Sequence, residues 1–219
     1  MTRLRRIWLA MALVVLALVA SLSIWHGLRA AWSDASALHA RWVVNEWRDG
    51  NGAVFTPILW EQTRDELLAA LQTAPGNAQL LDDLGFLYAA RGQSLGAPAV
   101  GSEELVLQQN LLTSAIDSYR QAADLRPTFP YSWAYLALAK HLRHQYDAEF
   151  WASFDKALHY GRNEAGVQPA LAQVAFAQWS RLGSGRQKEI AIMVATAHEI
   201  SRQRLLEMAM QSGVTLPGL

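Results

Sequence analysis

The stretch Ala115-Ile116-Asp117-Ser118-Tyr119-Arg120-Gln121-Ala122-Ala123-Asp124-Leu125-Arg126-Pro127 decides how the chain is read. Ala115, Tyr119 and Ala122 recur at spacings of four and three, so they share one face of an α-helix. Small residues on either side of a ring let a neighbouring helix come close. Pro127 lacks the amide hydrogen and has the wrong ring geometry to continue, so it closes the element. The prediction is a helix with one closely covered face and a fixed end.

Its partner lies upstream. Leu81, Leu84, Gly85 and Tyr88 have the spacing of a facing first helix, with Gly85 at the position where two backbones approach. A bulky residue, Leu-Gly and Tyr on one helix, then Ala, an aromatic, Ala and a closing Pro on the next, is the tetratricopeptide pattern. Trp133, Leu136 and Ala137 restart it in register after Pro127, and Ala148, Phe154 and Ala157 follow about one residue out of step. Upstream, Leu67, Ala70 and Pro75 read as a second helix leading in register to Leu81. Val174, Ala175, Phe176 and Trp179 suggest another first helix, and a long helix over about Arg186–Met210 is expected to cover the last open face.

Breakers separate these elements at Asp49–Gly52, Pro75–Asn77, Gly92 to Gly101, Gly161 to Gly166 and Gly183–Gly185. Thr56-Pro57 is a start signal, with a capping hydroxyl before a proline. Two departures stand out: Gln93–Leu107 is inserted between the helices of the best repeat, and Asp49–Gly52 falls where the first repeat needs a helix. The fold class is therefore all-α, with imperfect tetratricopeptide-like hairpins and a long C-terminal capping helix.

Ahead of the repeats, Thr2-Arg3-Leu4-Arg5-Arg6 precedes Ile7–Trp25, which holds no ionisable side chain. A helix of that length spans about 30 Å, the thickness of a hydrocarbon core. Trp8 and Trp25 stand at its ends, where amphipathic rings prefer the interface. The arginines before the span outnumber the single Arg29 just behind it, which keeps the N-terminus inside. A cleaved signal peptide would have a shorter apolar core and a cleaner small-residue site. The expected layout is a cytoplasmic basic N-terminus over 1–6, a transmembrane anchor over 7–28, and a periplasm-facing helical domain over 29–219 at a bacterial inner membrane. Trp32, Trp42, Trp47 and Trp60 are expected to pack the first helix onto the domain behind it rather than to offer a surface to another membrane protein.

Lys+Arg and Asp+Glu both number 19 in 219 residues, so no net field favours nucleic acid. With no cysteine, disulfide and thiolate chemistry are excluded. No phosphate-binding loop or nucleophile elbow is present, and no cofactor is called for. His141 and His144, three apart with Asp147 nearby, are better read as polar residues at a helix end than as a metal site. Adjacent pairs such as Asp82-Asp83 diverge on a helix and do not converge on one substrate atom, so enzymatic turnover is not expected. Repeat geometry instead puts Gln79, Asp82, Asp83, Phe86, Tyr131, Tyr135 and His141 on a concave surface. That mixture of carboxylates and rings would suit a peptide carrying Lys or Arg, or sugar rings.

From Arg126-Pro127-Thr128-Phe129-Pro130-Tyr131-Ser132-Trp133-Ala134-Tyr135-Leu136-Ala137-Leu138-Ala139-Lys140, with Asp147-Ala148-Glu149-Phe150 downstream, the chain resembles the VpsP-type proteins. These are small anchored proteins that accompany bacterial exopolysaccharide synthesis and export. The resemblance implies an accessory scaffold that recognises protein partners in the inner membrane or periplasm, such as a polymerase, a chain-length regulator or an export channel. It brings no catalytic residue with it. Two other functions fit the same residues: an assembly factor for secretion, cytochrome maturation or cell division, and a carbohydrate-binding module. Because the first repeat is incomplete, pairing into a homodimer would finish its core.

Overall fold

The computed structural model describes residues 3–50 and 56–218, without the side chains of 3–7 and 9. Met1 and Thr2 of the basic N-terminus, and Asn51 and Gly52 of the first breaker, lie outside the described residues. Among these residues the chain is all-helical, with ten α-helices and no strand. It divides into two compact units, Met1–Leu80 and Leu81–Leu219.

The first unit opens with α1 (Arg3–Ser36), whose segment Ala10–Ser36 is long and apolar enough to cross a membrane. Helix α2 (Leu38–Asp49) follows after a single non-helical residue, Ala37, whose amide still bonds Ser33 O at 3.1 Å. The hydrogen-bond ladder thus nearly bridges the break, and α1 and α2 act as one rod with a joint. Helix α3 (Pro57–Thr73) starts as its sequence signals: Thr56 Oγ1 accepts from Leu59 N at 3.2 Å, and Pro57 fills the first turn.

Helix α3 packs along both preceding helices. Arg29 donates to Thr73 O at 2.7 Å, buried Ser33 donates to Ala70 O at 2.9 Å, and His39 meets Glu66 at 3.0 Å. Ala40, Val43, Val44, Leu67 and Ala70 fill the seam. Trp60 is buried with them, under the Arg64 guanidinium at 5.0 Å. The expected packing of Trp32 and Trp42 needs correction, while Trp47 is half-buried. Trp32 is 71% exposed and Trp42 58%, because the small residues Ser33, Ala37 and Ala40 take the seam and turn the rings away from α3.

Helix α4 (Ala78–Ser94) carries the chain into the second unit, followed by α5 (Glu103–Leu125), α6 (Pro130–Leu142) and α7 (Ala148–Gly161). Gly85 is where α4 meets α5: a Cβ there would sit 2.8 Å from the Tyr119 ring. Ala115, Tyr119 and Ala122 are all buried on that face. Helix α6 packs on both α5 and α7, so two helical hairpins share one core through Trp133, Leu136, Ala137, Phe150, Phe154 and Ala157. Ser102 caps α5 by accepting from Leu105 N at 3.1 Å, with Glu103 and Glu104 in the first turn, where negative charge is favoured. The inserted stretch is shorter than expected. Its loop is confined to 95–102, and residues Glu103–Leu107 lengthen α5.

The C-terminal part corrects another expectation. Helix α8 (Gln168–Ala177) holds Val174, Ala175 and Phe176, and in place of one long capping helix after it there are α9 (Gly183–Thr196) and α10 (Glu199–Gln211). Ala197 and His198 are extended, with ψ of 149° and 147°, and break the rod without glycine or proline. The break lets α10 turn back onto α8, burying Leu205, Ala209 and Leu216. A straight helix would have carried those side chains past the core.

Candidate functional site

The residues expected on one surface separate into three groups. Gln79 belongs to the first unit, where its amide bonds Asn77 Oδ1 at 3.1 Å as part of the α4 start. Asp82 and Asp83 are buried, Asp83 to 1% exposure. Asp82 receives the guanidinium of Arg126 and accepts from Ser132 Oγ at 2.8 Å. It therefore joins α4 to the head of α6 and offers no carboxylate to a ligand. Tyr131 and Tyr135 do structural work at one end: a Cβ on Gly166 would meet the Tyr131 ring at 2.8 Å, and Tyr135 donates to Gly166 O at 3.4 Å. Burial and the Glu164 carboxylate raise the Tyr131 phenol above its ordinary value.

Phe86 and His141 remain, and with the ring of Tyr135 they line a groove between α4 and α6. An apolar hole of about 160 Å³ is walled by Phe86, Ala89 and Ala90 of α4, the Tyr119 ring beneath, and Tyr135, Leu138 and Leu142 of α6. Tyr119 and Tyr135 stack there with ring centroids 5.7 Å apart. Gln93 and Leu142 border this hole and also a wider trough of about 480 Å³. The trough runs beneath the 95–102 loop, between Pro98 and Gln108 on one side and His141 and His144 on the other. Gln108 holds that loop in place by donating to Gly92 O and Gly96 O, both at 2.9 Å.

The turn after α6 shapes the trough. Gln145 N bonds Lys140 O at 2.8 Å and His144 N bonds His141 O at 2.9 Å, the pattern that ordinarily ends in a left-handed glycine. Here the left-handed residue is His144, with φ of 57°, at a cost of about 1 kcal/mol relative to glycine. His144 stays exposed at the rim.

His141 is set by a chain of polar contacts. Arg181 Nη1 donates to Gln178 Oε1 at 3.4 Å, which orients the amide so that Nε2 donates to Tyr146 Oη at 3.1 Å. Tyr146 Oη and His141 Nδ1 lie 3.2 Å apart, within hydrogen-bonding distance. Burial first, and the neighbouring His144 second, lower the His141 pKa below its ordinary value.

A charged cluster joins α5, α6 and α7. Lys140, 2% exposed, contacts Glu149 and reaches Asp147 at 2.9 Å. Arg120 grips Glu149 with two nitrogens at 2.5 and 2.9 Å, and Asp117 with a third at 2.5 Å. Asp147 also caps α7 by accepting from Phe150 N at 2.9 Å. Asp147 is thus committed to structure, not turned toward the histidines. Among the described residues, no group of three or more His, Asp or Glu could hold a metal ion.

Sequence reasoning missed Ala90, Gln93, Leu138 and Leu142 in the groove. Their signal was present: 86, 90 and 93 on α4 and 135, 138 and 142 on α6 form second stripes at helical spacing, beside the stripes that fill the core. Tyr146 and Gln178 left no such signal. Comparison with known proteins returns no matching family model and no matching curated protein.

Proposed function

We propose that the chain is a membrane-anchored scaffold whose tetratricopeptide-like hairpins capture a protein partner in the α4–α6 groove. The groove carries this reading. It is a preformed recess with an apolar hole and a polar trough, on a unit where Asp82 is paired with Arg126 and Lys140 with Glu149. Such a site binds; it does not bring an acid and a base onto one reacting atom. The apolar helix α1 supplies the tether, and with the basic residues ahead of it the domain behind faces the periplasm. Holding a binding module at the membrane raises its effective concentration toward membrane partners, so weak contacts suffice.

Following the resemblance to VpsP-type proteins, the partner is a component of exopolysaccharide synthesis or export. The test compares the full chain with a form released from the membrane by a cleavable signal in place of residues 1–28, each purified from the native envelope after chemical crosslinking. Recovery of a polysaccharide synthase, chain-length regulator or export component with the full chain, falling sharply on release, is the expected result. Equal recovery of the same proteins by the released form would remove the role of the tether. Recovery of an unrelated envelope complex would replace the pathway.

A further inference from the structure

We infer that the bilayer holding α1 also seats the first unit, with the turn after α3 and the Trp32 ring lying in its headgroup layer. The inference rests on the membrane-anchor reading of α1 and adds a lipid-contact surface to it.

Chain geometry sets the level of the membrane. The apolar run Ile7–Trp25 has its midpoint at Leu16. At about 1.5 Å per residue, a core about 30 Å thick reaches about ten residues to either side, to Arg6 and His26. Both edges fall on polar side chains. Beyond each edge the headgroups add a layer roughly 5–8 Å deep.

Helix α3 runs down toward that edge as α1 rises from it. Glu66 meets His39, Ala70 O accepts from Ser33, and Thr73 O accepts from Arg29. Successive turns of α3 therefore pair with successively lower turns of the rod. Arg29 stands about 4.5 Å above the level of His26, inside the headgroup layer. Thr73 ends α3 at that level, and the turn after it is the part of α3 and its flanks set closest to the bilayer. Asn77 Nδ2 then donates to Asp34 Oδ1 at 3.0 Å and brings the chain back up. Between these two ties Ala74, Pro75 and Gly76 carry no charge, and Pro75 and Gly76 are exposed.

Trp32 meets the same layer from α1. Its Cα stands about 9 Å over the core edge, and its side chain leans back toward the helix N-terminus, into the layer. The ring is 71% exposed, and Leu28 below it is 62% exposed. Trp25, Leu28 and Trp32 follow at spacings of three and four, so one apolar stripe runs up out of the core without a break. An indole has an apolar body and one N–H, a combination that favours the headgroup region over water or hydrocarbon. That gives the large ring a place outside the seam filled by Ser33, Ala37 and Ala40.

The test places the full chain in nanodiscs of phosphatidylethanolamine and phosphatidylglycerol. Because the chain has no cysteine, one introduced at a time carries a spin label at a single place. Leu16→Cys reports the anchor, and Gln62→Cys, exposed near the start of α3, reports bulk water. Gly76→Cys reports the turn, where an added side chain meets nothing within 4 Å. Collisions with oxygen, which concentrates in lipid, are compared with those of a water-soluble nickel chelate. The label at 76 is expected to read a depth between the other two, within the headgroup layer. In a second measurement, lipids brominated high in their acyl chains should quench the emission that Trp32→Phe removes. They should spare the emission that Trp42→Phe removes, since Trp42 stands ten residues higher.

A label at 76 as open to the chelate as the one at 62, or Trp32 emission that lipid bromine leaves untouched, would overturn the inference. With Leu16 at lipid depth, either result leaves the anchor standing and removes only the seated first unit. A Leu16 label open to the chelate would remove the anchor reading and this inference with it.

Discussion

Ser132 Oγ lies 2.8 Å from Asp82 Oδ1, although fifty residues separate them in the chain. With Arg126 on the same carboxylate, this contact fastens the first hairpin of the second unit to the second. Asp82→Ala would strand a guanidinium and a buried hydroxyl together. We expect a loss of about 1–3 kcal/mol, read by denaturant unfolding of the full chain in detergent. Asp82→Asn, which still accepts from Ser132, should cost less.

Gly85 gives a steric test of the same hairpin. Adding a Cβ places it 2.8 Å from the Tyr119 ring, and that ring is fully enclosed. Gly85→Ala should therefore destabilise by about 1–3 kcal/mol despite the better helix propensity of alanine. Gly76→Ala, which meets nothing within 4 Å, is the matched control and should stay close to neutral.

Acid should loosen the α5–α6–α7 junction. The Arg120 contact, then Lys140, hold the Glu149 carboxyl at about 2, against an ordinary 4.5. A depressed carboxyl stabilises the folded state fully above its unfolded pKa, and that contribution fades as protons bind. The loss should begin near pH 4.5 and run to about 2, measured by thermal melts across that range. Glu149→Gln should melt lower at neutral pH and show a flatter acid limb.

The tryptophans of the first unit should divide by burial. Trp60→Ala removes a ring from the α2–α3 seam and is expected to cost about 3–5 kcal/mol. Trp32→Ala and Trp42→Ala remove exposed rings and should change stability by less than about 0.5 kcal/mol in detergent.

Much of the helical plan was legible in the residues. The Gly85–Tyr119 approach, the Thr56-Pro57 start and the acidic start of α5 all follow from local rules of size, backbone geometry and charge. What was hidden depends on residues far apart. Nothing near Asp82 announces that Arg126 and Ser132 will enclose it, so a buried ion pair reads as an exposed acidic surface. Ala197 and His198 break a helix without a breaker residue because burying Leu205 and Ala209 on α8 outweighs one more helical turn. Trp32 and Trp42 reverse the usual preference, since the seam beside them is cut for Ser33, Ala37 and Ala40. The groove was half legible. Phe86, Tyr135 and His141 were placed together, while the relay through Tyr146 and Gln178 spans 32 residues and has no local signature.

The most direct test is photo-crosslinking in native membranes, with a photoreactive residue at Leu138 in the groove or at Lys156 on α7 as a control. The scaffold account predicts capture of one discrete envelope protein from Leu138 but not from Lys156, and loss of that product in Ala90→Phe. Equal capture from both positions, or capture from Leu138 that survives the filled hole, would contradict it.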